Sequence, residues 1–114
     1  MRRAMCTITS QADIERLFAE GRRRGRQAAL VIVLETPEAR DPDGRVLFVA
    51  GKRLGPAVRR NRCKRVLREA VRRTGGPWTG LDVALVARPG TAAASPRDLD
   101  DAIRRALESA DVER

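Results

Sequence analysis

Residues Gly55 to Arg73 read Gly-Pro-Ala-Val-Arg-Arg-Asn-Arg-Cys-Lys-Arg-Val-Leu-Arg-Glu-Ala-Val-Arg-Arg, which puts eight basic side chains and one acidic side chain between positions 59 and 73. At roughly 100° per residue, Cys63, Val66, Leu67, Ala70 and Val71 fall on one arc and Asn61, Lys64, Arg65, Arg68 and Arg72 on the opposite one. The pattern predicts a helix with one face packed into a fold and the other offered to phosphates. Gly55-Pro56 is its entry, with proline at the first helical position, where the amide it lacks would be unpaired anyway. Gly75-Gly76-Pro77 ends it. An ordinary solvated helix face mixes signs and carries Glu-Lys pairs four apart, whereas here Glu69 stands alone among arginines. Such crowding of like charge is relieved by an anionic partner, so RNA or DNA is the expected one.

The chain has 114 residues, enough for one domain over 1–114 with a modest core. Its 24 Lys plus Arg against 15 Asp plus Glu give a net charge of +9, and its pI is near 11.4. Lys52 and Lys64 are the only lysines. Arginine's planar fork contacts phosphate through two donors, which a lysine point charge does not. There is no histidine, and Cys6 and Cys63 lie far apart, with Cys63 on the apolar arc. Neither a disulfide framework nor a Cys/His zinc site is expected. The apolar run ending at Leu34 is strand-length and too short to span a membrane, and the start of the chain lacks the hydrophobic core of a signal peptide. A cytoplasmic protein with no membrane partner is expected.

Elsewhere helices and strands alternate without repeats. Ser10 caps a helix from Gln11 to Glu20, with Ile14, Leu17 and Phe18 inward, Asp13 three residues after the cap, and Gly21 as the stop. Arg22 to Arg26 reads as a basic connector and Ala29 to Leu34 as a fully apolar strand. Thr36 to Gly44 is a turn region, Arg45 to Gly51 a second strand leading into Lys52-Arg53, and Leu81 to Ala87 a third. After a turn at Arg88-Pro89-Gly90, Thr91 to Ala94 is linker. Ser95 then caps a last helix that runs to about Ser109, with Leu99, Ala102, Ile103, Ala106 and Leu107 inward. Three strands and three helices in this order predict a small open sheet with helices packed on it, a two-layer α/β (α+β) domain.

No catalytic centre stands out. Cleaving a phosphodiester takes a general base, a nucleophile or a metal cluster, and the chain has no histidine and only scattered carboxylates. Asp41 and Asp43 sit in a Pro/Gly turn and read as solvated loop residues rather than a metal pair. A small nuclease acting alone is therefore disfavoured. A DNA regulator would need a second helix and short turn before the basic helix, and none is present. An RNA-binding protein remains, such as a ribosomal protein or RNA chaperone.

The run Val46 to Glu69, with a strand, the basic pair Lys52-Arg53, glycine, Arg60-Asn61-Arg62, the pair Lys64-Arg65 and Leu67-Arg68-Glu69, resembles the signature of the bacterial ribonuclease P protein component. Asp13 to Gly21 is similar to that family's first helix and Asp82 to Gly90 to its last strand and turn, so the resemblance covers about positions 10–108. It implies a fold like the second domain of ribosomal protein S5, with a left-handed βαβ crossover. It also implies binding to a catalytic RNA, ribonuclease P RNA, which removes the 5′ leader of precursor tRNA with Mg2+ bound mainly by the RNA, and no obligate protein partner. The residues it implies for RNA contact are Lys52, Arg53, Arg59, Arg60, Asn61, Arg62, Lys64, Arg65, Arg68 and Arg72, with Ile14, Phe18, Phe48, Arg22 and Arg23 at the leader cleft.

The chain departs from the family pattern in ways that bear on the leader. Ile14 stands where the family usually has phenylalanine, Leu30 to Leu34 lacks an aromatic often found there, Ala50 and Gly51 replace commonly hydroxylated residues, and Met1-Arg2-Arg3 is less basic than usual. A base-stacking platform contributes about 1–3 kcal/mol. Fewer platforms shift the expected leader contacts toward phosphate pairing and apolar packing. Phe18 and Phe48 both also suit an ordinary core role, and Trp78, after a Gly-Pro turn, reads as a packing anchor.

Overall fold

The structure is a computed structural model that describes residues 7–25, 27–37 and 43–112. Arg2, Arg3, Cys6, Arg26 and Asp41 lie outside the described residues. In chain order the elements are α1 (Gln11–Glu20), β1 (Arg22–Gly25), β2 (Ala29–Glu35), β3 (Arg45–Val49), a 3-10 turn at Lys52–Leu54, α2 (Ala57–Arg73), β4 (Leu81–Ala87), a second 3-10 turn at Thr91–Ala93, and α3 (Pro96–Val112).

The strands form one open sheet in the order β1-β2-β4-β3. β1 and β4 pair antiparallel with β2, while β3 runs parallel to β4, so α2 is the crossover of a β3-α2-β4 unit. Side chains alternate across the sheet. Val31 and Val33 of β2, Val46 of β3 and Val83 and Leu85 of β4 face α2 and α3, where they meet Cys63, Leu67, Val71, Leu99 and Ile103 in the main core. Ile32 and Ala84 face the other way, under Leu17 of α1 and Ile8. The two-layer core is thus sheet against α2 and α3, and α1 covers part of the second face.

Four boundaries differ from the sequence reading. The basic connector is strand β1, paired from Arg22 opposite Val33 to Gly25 opposite Leu30. Three arginines and a glycine carry no apolar alternation, and on a sheet edge they need none, because backbone pairing suffices and the side chains reach solvent. The strand expected to reach Gly51 ends at Val49, and the Lys52–Leu54 turn follows it. Pro56 caps α2 from outside instead of occupying its first turn. The Thr91 linker is a 3-10 turn whose Thr91 hydroxyl, fully buried, donates to Ala28 O at 2.6 Å and accepts from Arg88 N–H at 2.7 Å.

The remaining polar core is an ion triad. Arg45 donates to both carboxylate oxygens of Asp82, from Nε at 2.9 Å and Nη2 at 2.6 Å, and from Nη1 to Asp13 Oδ2 at 3.0 Å. Thr36 adds a hydroxyl to Asp82 at 2.9 Å. All three charged residues are buried. The hydrogen bonds to Asp82, with Asp13 adding to them, hold the Arg45 guanidinium above its ordinary value against the opposing effect of burial. Because the shift is upward, the stabilisation linked to the guanidinium's own proton is present below the ordinary arginine value and fades only in stronger alkali. Gly44, just before β3, has φ +93°, and a Cβ there would overlap the Trp78 carbonyl, so the chain can enter the triad's strand only through glycine. Removing one partner of a buried charge leaves the other uncompensated, at about 3–5 kcal/mol. Asp82→Ala is expected to lower unfolding free energy by that amount in a urea titration, and a loss below ~1 kcal/mol would contradict the triad's role.

Candidate nucleic-acid interface

The basic face is built by burying the other side of α2. Cys63, Leu67, Ala70 and Val71 are buried at spacings of four, three and one, and Leu54 of the preceding turn is buried beside them. That leaves Arg59, Asn61, Arg62, Arg65 and Arg72 exposed and Arg60, Lys64 and Arg68 half-buried, with Lys52 and Arg53 exposed on the turn. The ten sequence-predicted RNA contacts therefore share the 3-10 turn and one helix.

Their charges are not neutralised from within. Of the basic residues of α2, Arg73 has a carboxylate partner among the described residues, Asp100 of α3, with Nη2 to Oδ1 at 2.9 Å. Arg68 lies over the Phe48 ring at 5.1 Å from its centroid. Arg60 buries its Nε without a hydrogen-bond partner. The start of α2 has no acidic residue in its first turn and no side-chain cap, while Arg59 and Arg60 stand there against the helix dipole. A cation so placed is unfavourable by about 0.3–1 kcal/mol. An anion bound at this face reverses that sign.

The second face of the sheet carries a half-open apolar surface beside α1. Ile14 and Phe18 flank it, and Leu30, Leu47 and Val86 form its half-buried floor. Arg23 guards its edge, with its guanidinium 5.9 Å from the Phe18 ring centroid and a hydrogen bond to the Phe18 carbonyl. Ile14, Phe18 and Arg23 are thus brought together. Phe48 is not, because it packs against the main core on the α2 side. Arg22 also departs, since its cross-strand neighbour Val33 faces the main core and Arg24, two residues on, donates to Ser109 of α3 at 2.7 Å. A separate cleft of about 560 Å³ beside α3, lined by Gln27, Gly90, Asp98, Asp101 and Arg105 among others, contains none of the predicted site residues.

The family model for ribonuclease P matches residues 3–111. The chain belongs to the ribonuclease P protein family. It is 37% identical over 107 residues to the ribonuclease P protein component of Gluconacetobacter diazotrophicus, covering 92% of this chain and 90% of that one. A 65-residue stretch, 57% of this chain and 55% of the relative, is 48% identical to the ribonuclease P protein component of Symbiobacterium thermophilum. The fold is similar to the Staphylococcus aureus ribonuclease P protein, with a TM-score of 0.74 at 22% identity over 94% of this chain and 96% of that one.

Within this family member, sequence reasoning missed the floor residues Leu30, Leu47 and Val86, and Arg88. Arg88 follows Ala87, a core residue, so alternation carries it to the α1 face, and a Cβ on Gly25 would lie 2.7 Å from its Nη2. Its Nε is buried without a hydrogen-bond partner. A charged residue directly after an apolar strand was the available signal. No helix among the described residues is long and apolar enough to cross a membrane. Since Arg62 and Arg65 have no ion pair among the described residues, Arg62→Ala with Arg65→Ala is expected to leave unfolding free energy unchanged or higher, within about 0.5 kcal/mol, whereas Leu67→Ala beneath them should cost about 2–5 kcal/mol. Comparable losses in both variants would mean that the arginines serve the fold.

Proposed function

We propose that this chain is the protein subunit of ribonuclease P, binding the catalytic RNA and the 5′ leader of precursor tRNA so that the RNA can remove the leader. The observation that carries the reading is the segregated basic face of the 3-10 turn and α2, unpaired among the described residues apart from Arg73, on a chain of this family. Guanidinium forks at Arg60, Arg62, Arg65 and Arg68, with Lys52, Arg53, Arg59, Lys64 and Arg72, bind backbone phosphates of the RNA and release its counterions. Asn61 supplies neutral donors and an acceptor among them.

The surface beside α1 suits a single strand. Its apolar floor takes sugar and base faces, and Arg23 and Arg88 at its margins take phosphate. With Phe18 already covered on one side by Arg23, leader binding here relies on phosphate pairing and aliphatic packing more than on stacking. Phosphates neutralised on both sides of the sheet bring the leader to the RNA and lower the repulsion between two polyanions.

Among the described residues no group of three or more carboxylate, thiol or imidazole side chains comes together to hold a metal ion. The described side chains offer no site for a resident metal, and on this proposal Mg2+ is bound mainly by the RNA. The protein's contribution is binding and charge compensation.

The test is equilibrium binding of a bacterial ribonuclease P RNA across monovalent salt. Arg62→Ala with Arg65→Ala is expected to weaken binding and to reduce the slope of log affinity against log salt by about two, one per phosphate contact. Unchanged affinity for both the RNA and precursor tRNA would overturn the proposal.

A further inference from the structure

The chain has two phenylalanines and no tyrosine, and each phenylalanine ring lies under an arginine guanidinium, Phe18 under Arg23 and Phe48 under Arg68. The two pairs stand on opposite faces of the sheet. At Phe18 the arginine also spends a donor on the Phe18 carbonyl. At Phe48 the arginine has no such bond among the described residues. Phe48 stands on β3 opposite Leu85 of β4, half-buried, with its ring against the main core and Arg68 of α2 above it.

Arg73, on the same helix, is held differently. Asp100 engages Arg73 through Nε and Nη2 in three hydrogen bonds, which fix the side chain but occupy its donor edge and neutralise its charge. An aromatic face holds a guanidinium through its π-cloud, leaving the in-plane N–H donors and the full charge available. Restraining a long side chain beforehand also lowers the entropy lost when it binds.

We infer that Phe48 is a positioning residue for Arg68, holding its guanidinium in place with its donors free for a nucleic-acid phosphate. This rests on the reading of α2 as an RNA-binding face. Phe48 itself does not touch the RNA. A residue serving the core alone is replaceable by leucine, but a residue that holds a cation must keep its ring.

The experiment measures affinity for a bacterial ribonuclease P RNA with Phe48→Leu, Phe48→Trp, Arg68→Ala and Phe48→Leu combined with Arg68→Ala, with a thermal melt of each. Phe48→Leu is expected to weaken binding about two- to fivefold, Phe48→Trp to retain it, and Phe48→Leu to add nothing once Arg68 is alanine. Loss from Phe48→Leu that persists in the Arg68→Ala background, or no loss from Phe48→Leu where Arg68→Ala does weaken binding, overturns the inference while leaving the basic face intact. If Arg68→Ala is itself silent, Arg68 is not a binding residue, and the inference falls together with that part of the proposed interface. Should Phe48→Leu melt before it can be measured, the ring-retaining Phe48→Trp decides alone, a twofold or greater loss in a folded protein counting against it.

Discussion

Arg45 holds together the parts of the fold on which both proposed binding faces depend. Its guanidinium joins β3 to β4 through Asp82 and both strands to α1 through Asp13. The parallel pairing of β3 with β4 sets the two ends of the crossover, and α2 lies between them in sequence and over them in space. The same contact seats α1 on the opposite face, which defines the surface next to Phe18. A buried ion pair contributes little net stability compared with apolar residues of the same volume, but it is intolerant of misalignment. Its value here is geometric, because only one register of β3 on β4 brings Arg45 opposite Asp82.

On that frame the turn at Lys52–Leu54 and the outer face of α2 carry basic side chains without carboxylate partners among the described residues. Arg45, Arg73 and Arg24 are used inside the fold, while the exposed row from Lys52 to Arg72 has no carboxylate partner among the described residues. Unpaired like charges at helix spacing repel, and the repulsion falls away when phosphates lie between them. The fold tolerates the row because Cys63, Leu67, Ala70 and Val71 bury the other side of the helix. Core packing and the proposed RNA binding thus fall on opposite faces of one helix.

The helices were legible because each signals itself locally. Ser10 and Ser95 accept from the amides three residues on, as their positions before apolar-periodic runs suggested. Cys63, Leu67 and Val71 declared the inner face of α2. The apolar strands β2 and β4 were equally plain. What escaped was non-local. β1 is a strand only through its pairing with β2, and nothing in Arg-Arg-Arg-Gly announces that. The faces of Arg22 and Phe48 depend on register, which no local signal sets; the resemblance grouped them with Phe18, and the structure places both on the α2 side of the sheet. Asp13 was read as a favourable first-turn acid, yet its side chain belongs to Arg45, 32 positions away. Asp82 inside an apolar strand was a visible anomaly whose partner only the fold supplies.

On the proposed reading this protein assists a catalytic RNA, in which the catalytic centre lies. The most direct test of that reading is cleavage of precursor tRNA at low magnesium by the protein alone, by a bacterial ribonuclease P RNA alone, and by both together. The account predicts cleavage at the mature 5′ end that requires the RNA and is strongly raised by the protein. Cleavage by the protein alone, or no stimulation of a cognate RNA, would contradict it.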